Sequence, residues 1–241
     1  MGKTSILALI PAWNEGERLG PIAAAAHAYL PVLVVDDGSQ DDTSAVAQSA
    51  GVEVVRHHRN RGKGAALTTG FTWALERGYG AVVTLDADGQ HDPADIPKFL
   101  GSYEGTGADL LIGRRDFSLA PWPRRWVNPT GDRLLSWALG VPIHDNQNGY
   151  RLYSRSLLEG LDLATTGFEW EVKVIVHAVC RGMRIGWVGI HTIYDTGKAS
   201  YFHPLKDTAR FLGMVWYARR QRSERTLESI IVTAQAAGSS D

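Results

Sequence analysis

Residues 81–90 read AVVTLDADGQ, an apolar and β-branched run that ends at two aspartates separated by one alanine. The run predicts a buried strand over 81–86. Asp86 and Asp88 lie two positions apart, where they can share a divalent cation and its bound diphosphate, and Gln90 could add a carbonyl oxygen. Hard oxygen ligands suit Mg²⁺ or Mn²⁺. Because this spacing is common, a turn without a ligand is the alternative interpretation.

The same alternation of short apolar runs and longer helical patterns extends through the first half of the chain. Strands are predicted at 5–10, 32–36, 52–56, 81–86 and 110–113, with helices at 17–29, 42–50, 63–77 and 93–103. This rhythm is typical of crossovers in a parallel sheet, which binds ligands at the C-terminal ends of its strands. We therefore predict a single α/β, Rossmann-like domain with a mainly parallel central sheet flanked by helices.

Three further polar segments belong to the same predicted edge. PAWNE at 11–15 follows the first strand, and DDGS at 36–39 follows the second. Asp36 and Asp37 can accept hydrogen bonds from a ribose or a base, or they can form an Asx-type turn that caps the next helix. RNRGKG at 59–64 places Lys63 at a helix start, which suits phosphate, although the third glycine of the dinucleotide fingerprint is missing.

Composition restricts the class of partner. The formal net charge of the 241 residues is -1, which argues against binding nucleic acid by bulk charge. The single cysteine, Cys180, cannot form an internal disulfide and reads as core. The apolar segment 5–10 is too short for a signal peptide, and no apolar run approaches the roughly 20 residues that span a bilayer. We expect a cytoplasmic protein, soluble or peripheral at the membrane face.

The second half of the chain is less regular. Residues 115–128 are rich in Pro, Trp and Arg and predict a loop over the site. Helices are predicted at 128–138, 168–181 and 206–222. A polar turn into a strand is predicted at 145–153, and a further strand at 185–194. The last helix has Phe211, Leu212, Val215 and Trp216 on one side and a basic end. That side either packs in the core or rests on an anionic membrane. Residues 226–241 are predicted to be a flexible tail.

The order of four motifs resembles family 2 glycosyltransferases with the GT-A fold, and most closely their polyprenyl-phosphate (dolichyl-phosphate mannose synthase-like) branch. The motifs are IPAWNE at 10–15, VDDGS at 35–39, N-x-GKGA at 60–65 and DADGQHDP at 86–93. The resemblance covers roughly residues 5–210. It implies an inverting, metal-dependent transfer of a sugar from a GDP- or UDP-sugar, by one domain over 1–225 with a nucleotide-sugar half to about 114 and an acceptor half from 115.

The motifs and the resemblance together give the candidate site residues. Those expected to bind the nucleotide-sugar are Pro11, Ala12, Trp13, Glu15, Asp36, Asp37, Lys63, Asp86 and Ala87. Those expected to hold Mg²⁺ or Mn²⁺ are Asp86, Asp88 and Gln90. Those expected at the acceptor or its phosphate are Arg115, Arg125, Arg151 and Lys198, with Asp145 and Arg115 catalytic. The chain departs from the branch at Arg114, at Asn148 and in the early position of Lys198.

The nature of the acceptor decides which of these residues is needed. A hydroxyl acceptor needs a positioned base, for which Asp145 is the candidate, whereas a phosphate acceptor is already an anion and needs only Arg or Lys to place it. The arginines at 114, 115, 124 and 125 favour a polyprenyl phosphate. Glu169 or Glu171 is expected to face the acceptor, without a preference between them.

Three other functions stay open on the sequence. One is a soluble transferase that acts on a hydroxyl of a sugar or small molecule, and another is a non-catalytic nucleotide-sugar-binding protein. The third, a sugar-1-phosphate nucleotidyltransferase, is disfavoured because the segment after the first strand is PAWNE instead of a glycine-rich loop with arginine.

Overall fold

The computed structural model describes residues 5–116, 124–162, 170–191, 193 and 204–221, and gives the backbone alone for 124–129 and 204–210. The predicted tail at 226–241 and the boundary at 225 lie outside these residues. Within them, no helix is long and apolar enough to cross a membrane.

One seven-stranded sheet organises the described residues, in the order β3-β2-β1-β4-β6-β5-β7. Its strands are β1 (Ile6–Ala12), β2 (Val32–Asp36), β3 (Glu53–Arg56), β4 (Ala81–Thr84), β5 (Leu110–Arg114), β6 (Arg151–Ser154) and β7 (Ile185–Gly189). All neighbouring strands are parallel except where β6 pairs. The predicted α/β domain with a mainly parallel sheet is therefore confirmed.

Helices connect and cover these strands. They are α1 (Gly16–His27), α2 (Thr43–Ser49), α3 (Lys63–Glu76), α4 (Ile96–Thr106), α5 (Arg124–Leu139), α6 (Arg155–Gly160), α7 (Trp170–Cys180) and α8 (Pro204–Gln221), with a 3-10 turn at Pro93–Asp95. The core has one layer on each face of the sheet, because alternate residues of β1 point to opposite sides: Leu7 and Leu9 to one, Ala8 and Ile10 to the other.

The antiparallel strand β6 shapes the edge where ligands are expected. It lies between β4 and β5, and its first residue, Arg151, pairs with Thr84 at the end of β4. The turn at 145–150 that precedes β6 therefore lies beside the C-terminal ends of β4 and β5. This arrangement joins two segments that are about 60 residues apart in the sequence.

Candidate functional site

A lysine and two acidic side chains meet at the C-terminal end of β4. The ammonium of Lys63, the first residue of α3, lies 2.6 Å from Oδ1 of Asp86 and 3.3 Å from Oε1 of Glu171 near the start of α7. Three separate elements thus contribute one charge each to a single cluster. The sequence left Glu169 and Glu171 undecided, and the structure places Glu171 in this cluster, while residue 169 is outside the described residues.

The charges in this cluster stabilise one another. Burial acts to raise the pKa of Asp86, but the positive charge and the hydrogen bond of Lys63 outweigh it and lower that pKa to about 2. Burial likewise acts to lower the pKa of Lys63, but the carboxylates of Asp86 and Glu171 raise it well above its ordinary value. Asp86 is therefore ionised, and Lys63 protonated, throughout the neutral range.

Gly149 makes room for the Lys63–Asp86 pair. A β-carbon at this position would lie 2.6 Å from Oδ2 of Asp86 and 2.8 Å from Nζ of Lys63. Both distances are shorter than real β-carbon contacts, so any larger residue here would force the Asp86 and Lys63 side chains to shift.

His91 supports the backbone of Asp86. It is buried, its ring centre lies 5.1 Å from that of the tilted Tyr150 ring, and its Nδ1 accepts a hydrogen bond from the Asp86 backbone N–H at 3.1 Å. Burial lowers its pKa, against the opposing charges of Asp86 and Asp88. An Nδ1 that accepts a hydrogen bond belongs to a neutral ring with its proton on Nε2, so His91 orients the backbone of Asp86 without forming an ion pair.

The donor set at Asp86 and Asp88 fits a divalent cation. Oδ1 of Asp88 accepts a hydrogen bond from the backbone N–H of Gln90 at 3.0 Å. The second carboxylate oxygen of Asp88 takes no part in that bond. In the part of the chain that the structure describes, no three His, Cys, Asp or Glu side chains form a closed metal cage. Mg²⁺ and Mn²⁺ sites built with a diphosphate commonly use one or two protein carboxylates and take their other ligands from phosphate and water, so two half-exposed aspartates suffice.

Arg115 and Asp145 form a second, largely buried ion pair beside this cluster. The arginine donates from Nε to Oδ2 at 2.8 Å and from a terminal nitrogen to Oδ1 at 2.5 Å, and its backbone N–H also reaches Oδ2 at 3.0 Å. The positive charge of Arg115 also helps to lower the pKa of Asp86. Asp145 therefore fixes a guanidinium whose charge acts on the Lys63–Asp86 pair.

The backbone of Asp145 is held from behind by α5. Its φ is +49°, an unusual value for a residue other than glycine, and its N–H donates to Oδ2 of Asp132 at 2.8 Å. The other oxygen of Asp132 accepts both the backbone and the side-chain N–H groups of Asn146. Asn148 adds a bond from Nδ2 to the Gly113 carbonyl at 2.8 Å. These contacts fix the turn that presents Asp145.

Arg151 differs from the prediction that it binds an acceptor phosphate. It is fully buried, and its guanidinium donates to the backbone carbonyls of Asn146, Asn148 and Glu171 at 2.6 to 2.7 Å. A side chain that is bonded to the main chain in this way cannot reach a ligand in the crevice. Arg151 instead ties the 145–150 turn to α7.

Asp36 and Asp37 are likewise turned into the protein. Asp36 has no exposed surface and accepts from the Ser39 N–H at 2.8 Å and from the Ser44 hydroxyl. Asp37 accepts from His57 Nδ1 and from the backbone N–H groups of the two residues before Lys63. These contacts match the turn interpretation. They give no support to the other interpretation, in which the two carboxylates contact a ribose or a base directly.

The turn after β1 is tied to the turn after β2. The N–H groups of Asn14, Glu15 and Gly16 donate to side chains of Ser39, Thr43 and Asp41 at 2.9 to 3.0 Å. Trp13 projects from this turn with 52% of its surface exposed, next to half-buried Pro11.

The remaining predicted residues have simple placements. Ala12 and Ala87 are buried, with 4% of each exposed, and the Glu15 carboxylate lies 3.5 Å from Arg18. The side chain of Arg125, and Lys198 altogether, lie outside the described residues. Reasoning from the sequence missed His91 and Asp132 as members of the site, although His91 stands within the quoted DADGQHDP motif.

A mainly parallel sheet with one inserted antiparallel strand, carrying paired aspartates after its central strand, defines the GT-A class of glycosyltransferase folds. Glucosyl-3-phosphoglycerate synthase from Mycobacterium tuberculosis, solved in complex with Mn²⁺, UDP and phosphoglyceric acid, superposes with a TM-score of 0.70 over 92% of this chain and 80% of that chain. At 21% identity this likeness concerns the fold alone.

The chain belongs to glycosyl transferase family 2, whose model matches residues 8–162. It is 36% identical over 196 residues to polyprenol monophosphomannose synthase of Mycolicibacterium smegmatis, which covers 74% of each chain. It is also 34% identical over 199 residues to undecaprenyl-phosphate mannosyltransferase of Micrococcus luteus, which covers 75% of this chain and 80% of the relative. The resemblance inferred from the four motifs is therefore confirmed.

Proposed function

We propose that this protein transfers a sugar from a nucleotide-diphospho-sugar to a polyprenyl phosphate, with inversion at the anomeric carbon. The observation that carries the proposal is the ion pair of Arg115 and Asp145. A carboxylate that is 1% exposed and bonded twice to a guanidinium is poorly placed to take a proton from a hydroxyl acceptor. The same pair fixes a guanidinium where an anionic acceptor would need it. The names of two relatives, which both specify polyprenyl or undecaprenyl acceptors, support the same choice.

The donor would lie along the C-terminal ends of β1 and β4. Trp13 offers an exposed ring beside the crevice, and Lys63 offers an ammonium for the diphosphate. Asp86 and Asp88, with Gln90, would hold Mg²⁺ or Mn²⁺, which supplies charge neutralisation to the departing diphosphate. The Mn²⁺ and UDP recorded with the mycobacterial synthase are compatible with this arrangement.

The reaction needs no proton transfer if the acceptor is a phosphate. An oxygen of the acceptor phosphate forms the new bond to the anomeric carbon, while the bond from that carbon to the diphosphate breaks and the nucleoside diphosphate leaves with the electron pair. A single displacement of this kind inverts the configuration. Arg115 orients the attacking phosphate, Asp145 holds Arg115, and Glu171 holds Lys63 beside the donor.

The test is transfer of labelled sugar from a panel of GDP- and UDP-sugars into an organic-extractable polyprenyl-phosphate fraction, with Mg²⁺, Mn²⁺ or EDTA. Metal-dependent label in the lipid is the expected result. Metal-dependent release of nucleoside diphosphate without lipid label would overturn the acceptor assignment in favour of a hydroxyl, and the absence of both activities would favour a nucleotide-sugar-binding protein.

Substitutions at Arg115 sharpen this test. Arg115→Ala is expected to reduce transfer by about 100-fold, since a misplaced nucleophile loses rate on this scale. Arg77→Ala is the matched control, because Arg77 is an exposed arginine at the C-terminal end of α3, opposite to the end that carries Lys63. Equal activity of the two variants would remove the role assigned to Arg115.

A further inference from the structure

A buried histidine lies behind the loop that leads into Lys63. His57 directly follows β3 and is 8% exposed. Its Nδ1 donates to Oδ1 of Asp37 at 2.6 Å, and its Nε2 is hydrogen-bonded to the hydroxyl of Thr69 on α3 at 2.9 Å. A carboxylate oxygen can only accept, so the proton on Nδ1 faces Asp37. Because both ring nitrogens are bonded inside the protein, the ring of His57 is held in one orientation.

Asp37 in turn fixes the loop at 59–62. Its buried carboxylate also accepts hydrogen bonds from the backbone N–H groups of Arg61 at 3.0 Å and Gly62 at 2.6 Å. Gly62 is the N-cap residue of α3, has a φ of +90° and offers no side chain to cap the helix. Glycine restricts the backbone least of all residues. The Asp37 carboxylate therefore defines the position at which the chain enters α3.

The same loop packs closely against the turn after β2. A β-carbon at Gly38 would lie 2.4 Å from the carbonyl carbon of Arg59 and 2.7 Å from the nitrogen of Asn60. These two atoms belong to the backbone, which cannot move aside as the end of a side chain can. Residues 59–62 thus have a fixed position relative to the end of β2, and Lys63 is the next residue in the chain.

We propose that His57 is a positioning residue for the donor site, which sets the place of the Lys63 ammonium through Asp37 and the loop at 59–62. This inference rests on the proposed function, because it is there that Lys63 is assigned to the donor diphosphate. The bond from His57 keeps the Asp37 carboxylate turned toward the loop. Without that bond the carboxylate can rotate, and the loop and Lys63 shift relative to Asp86.

Two substitutions at His57 test the proposal. His57→Phe keeps the size of the ring and removes both hydrogen bonds, whereas His57→Asn keeps a donor at the place of Nδ1. The measurement is calorimetric titration of the full chain with UDP and with GDP, each with Mn²⁺. His57→Phe is expected to weaken nucleotide binding by about tenfold, since a hydrogen bond between an ammonium and a phosphate contributes at least that factor. His57→Asn is expected to restore most of the affinity.

A double substitution tests whether His57 acts through Lys63. Lys63→Met should itself weaken nucleotide binding, because it removes the ammonium. In the Lys63→Met background, His57→Phe should then add little further loss. An equal loss from His57→Phe in both backgrounds would overturn the proposal, because His57 would not be acting through Lys63.

Hydrogen exchange separates positioning from a general structural role. The N–H groups of Arg61 and Gly62 should exchange faster in His57→Phe, while peptides from α4 keep wild-type rates. Ser154→Ala is the matched control, because it removes a hydrogen bond to the Asp109 carboxylate at the opposite end of the sheet. This control should bind nucleotide as wild type. Loss of protection throughout the chain in His57→Phe, or wild-type nucleotide binding by it, would overturn the proposal.

Steady-state transfer distinguishes this inference from the proposed function. His57→Phe should raise the KM for the donor and leave the KM for polyprenyl phosphate unchanged. Unchanged values of both would overturn the positioning role alone. Nucleotide binding that depends on His57, in a protein that transfers no sugar to the lipid, would leave the positioning role standing and overturn the acceptor assignment. Wild-type protein that binds neither UDP nor GDP with Mn²⁺ would overturn both proposals.

Discussion

The α-carbon of Gly149 faces the Asp86 carboxylate so closely that a methyl group there would lie 2.6 Å from Oδ2. The three atoms that it would meet, both carboxylate oxygens of Asp86 and Nζ of Lys63, are ends of side chains, which can shift without unfolding the chain. The contact therefore constrains the geometry of the charge cluster more than the stability of the fold.

Gly149→Ala is expected to lower transfer by about 10- to 100-fold, because it displaces the Lys63–Asp86 pair from the crevice. The thermal unfolding midpoint should change little. Gly101→Ala is the matched control, since a β-carbon there meets nothing within 4 Å. Wild-type activity in Gly149→Ala would show that the position of the pair does not matter.

The Lys63→Met substitution should make the free energy of unfolding less sensitive to pH in the acid range. The folded-state pKa of Asp86 is about 2, below its ordinary value of 3.8, so its ionised form stabilises the folded state. That contribution is present above about pH 4 and is lost as the pH falls through the folded pKa. Without Lys63, the loss in the free energy of unfolding on acidification from about pH 5 to pH 2 should be smaller by about 1 kcal/mol. Urea titrations of the metal-free protein at both pH values measure this difference in the free energy of unfolding, with Arg77→Met as the control.

Arg115 and Asp145 should act as a unit. Removing the Arg115 side chain leaves Asp145 without its charged partner, so Asp145→Asn should cost much less in the Arg115→Ala background than in the wild type. A double-mutant cycle on kcat/KM should give a coupling free energy of about 1 to 3 kcal/mol. Additive losses would mean that Asp145 has an independent role, as expected of a base for a hydroxyl acceptor.

Arg151→Met should destabilise the protein by about 3 kcal/mol, because three buried carbonyls lose a charged donor. The free energy of unfolding measures this effect, and exposed Arg181→Met is the control. A variant of wild-type stability with a raised KM for the acceptor would instead restore the predicted contact with phosphate.

Local patterns sufficed to predict most of the strands and helices of residues 5–114. The predicted strands at 32–36 and 110–113 match β2 and β5 to within one residue, because short apolar runs between polar turns leave little choice of period. The antiparallel direction of β6 could not be predicted in this way. Its residues Arg151 to Ser154 are too few for their pattern to show the direction of pairing, which depends on contacts with β4 and β5.

The same distinction between local patterns and tertiary contacts holds for the residues of the candidate site. Asp86 and Lys63 were found because each stands at the boundary of a predicted element. Arg151 and Asp36 were predicted to contact ligands, but their charged groups are hydrogen-bonded within the protein. The sequence shows that a residue is charged, but not whether backbone groups of the folded chain already satisfy that charge. Asp132 joins the site only through tertiary contacts, so no local signal identified it. The contact of Glu171 with Lys63 is also tertiary, so the sequence could not choose between Glu169 and Glu171.

The ion pair that fixes Arg115 has a kinetic consequence, because the acceptor proposed for it is a lipid. A nucleotide-sugar reaches the crevice by diffusion through the bulk solvent, whereas a lipid acceptor reaches it by lateral diffusion in two dimensions. The apparent KM for the acceptor would then follow its mole fraction in the bilayer. Diluting the acceptor with inert lipid would slow transfer, although its concentration in the tube is unchanged.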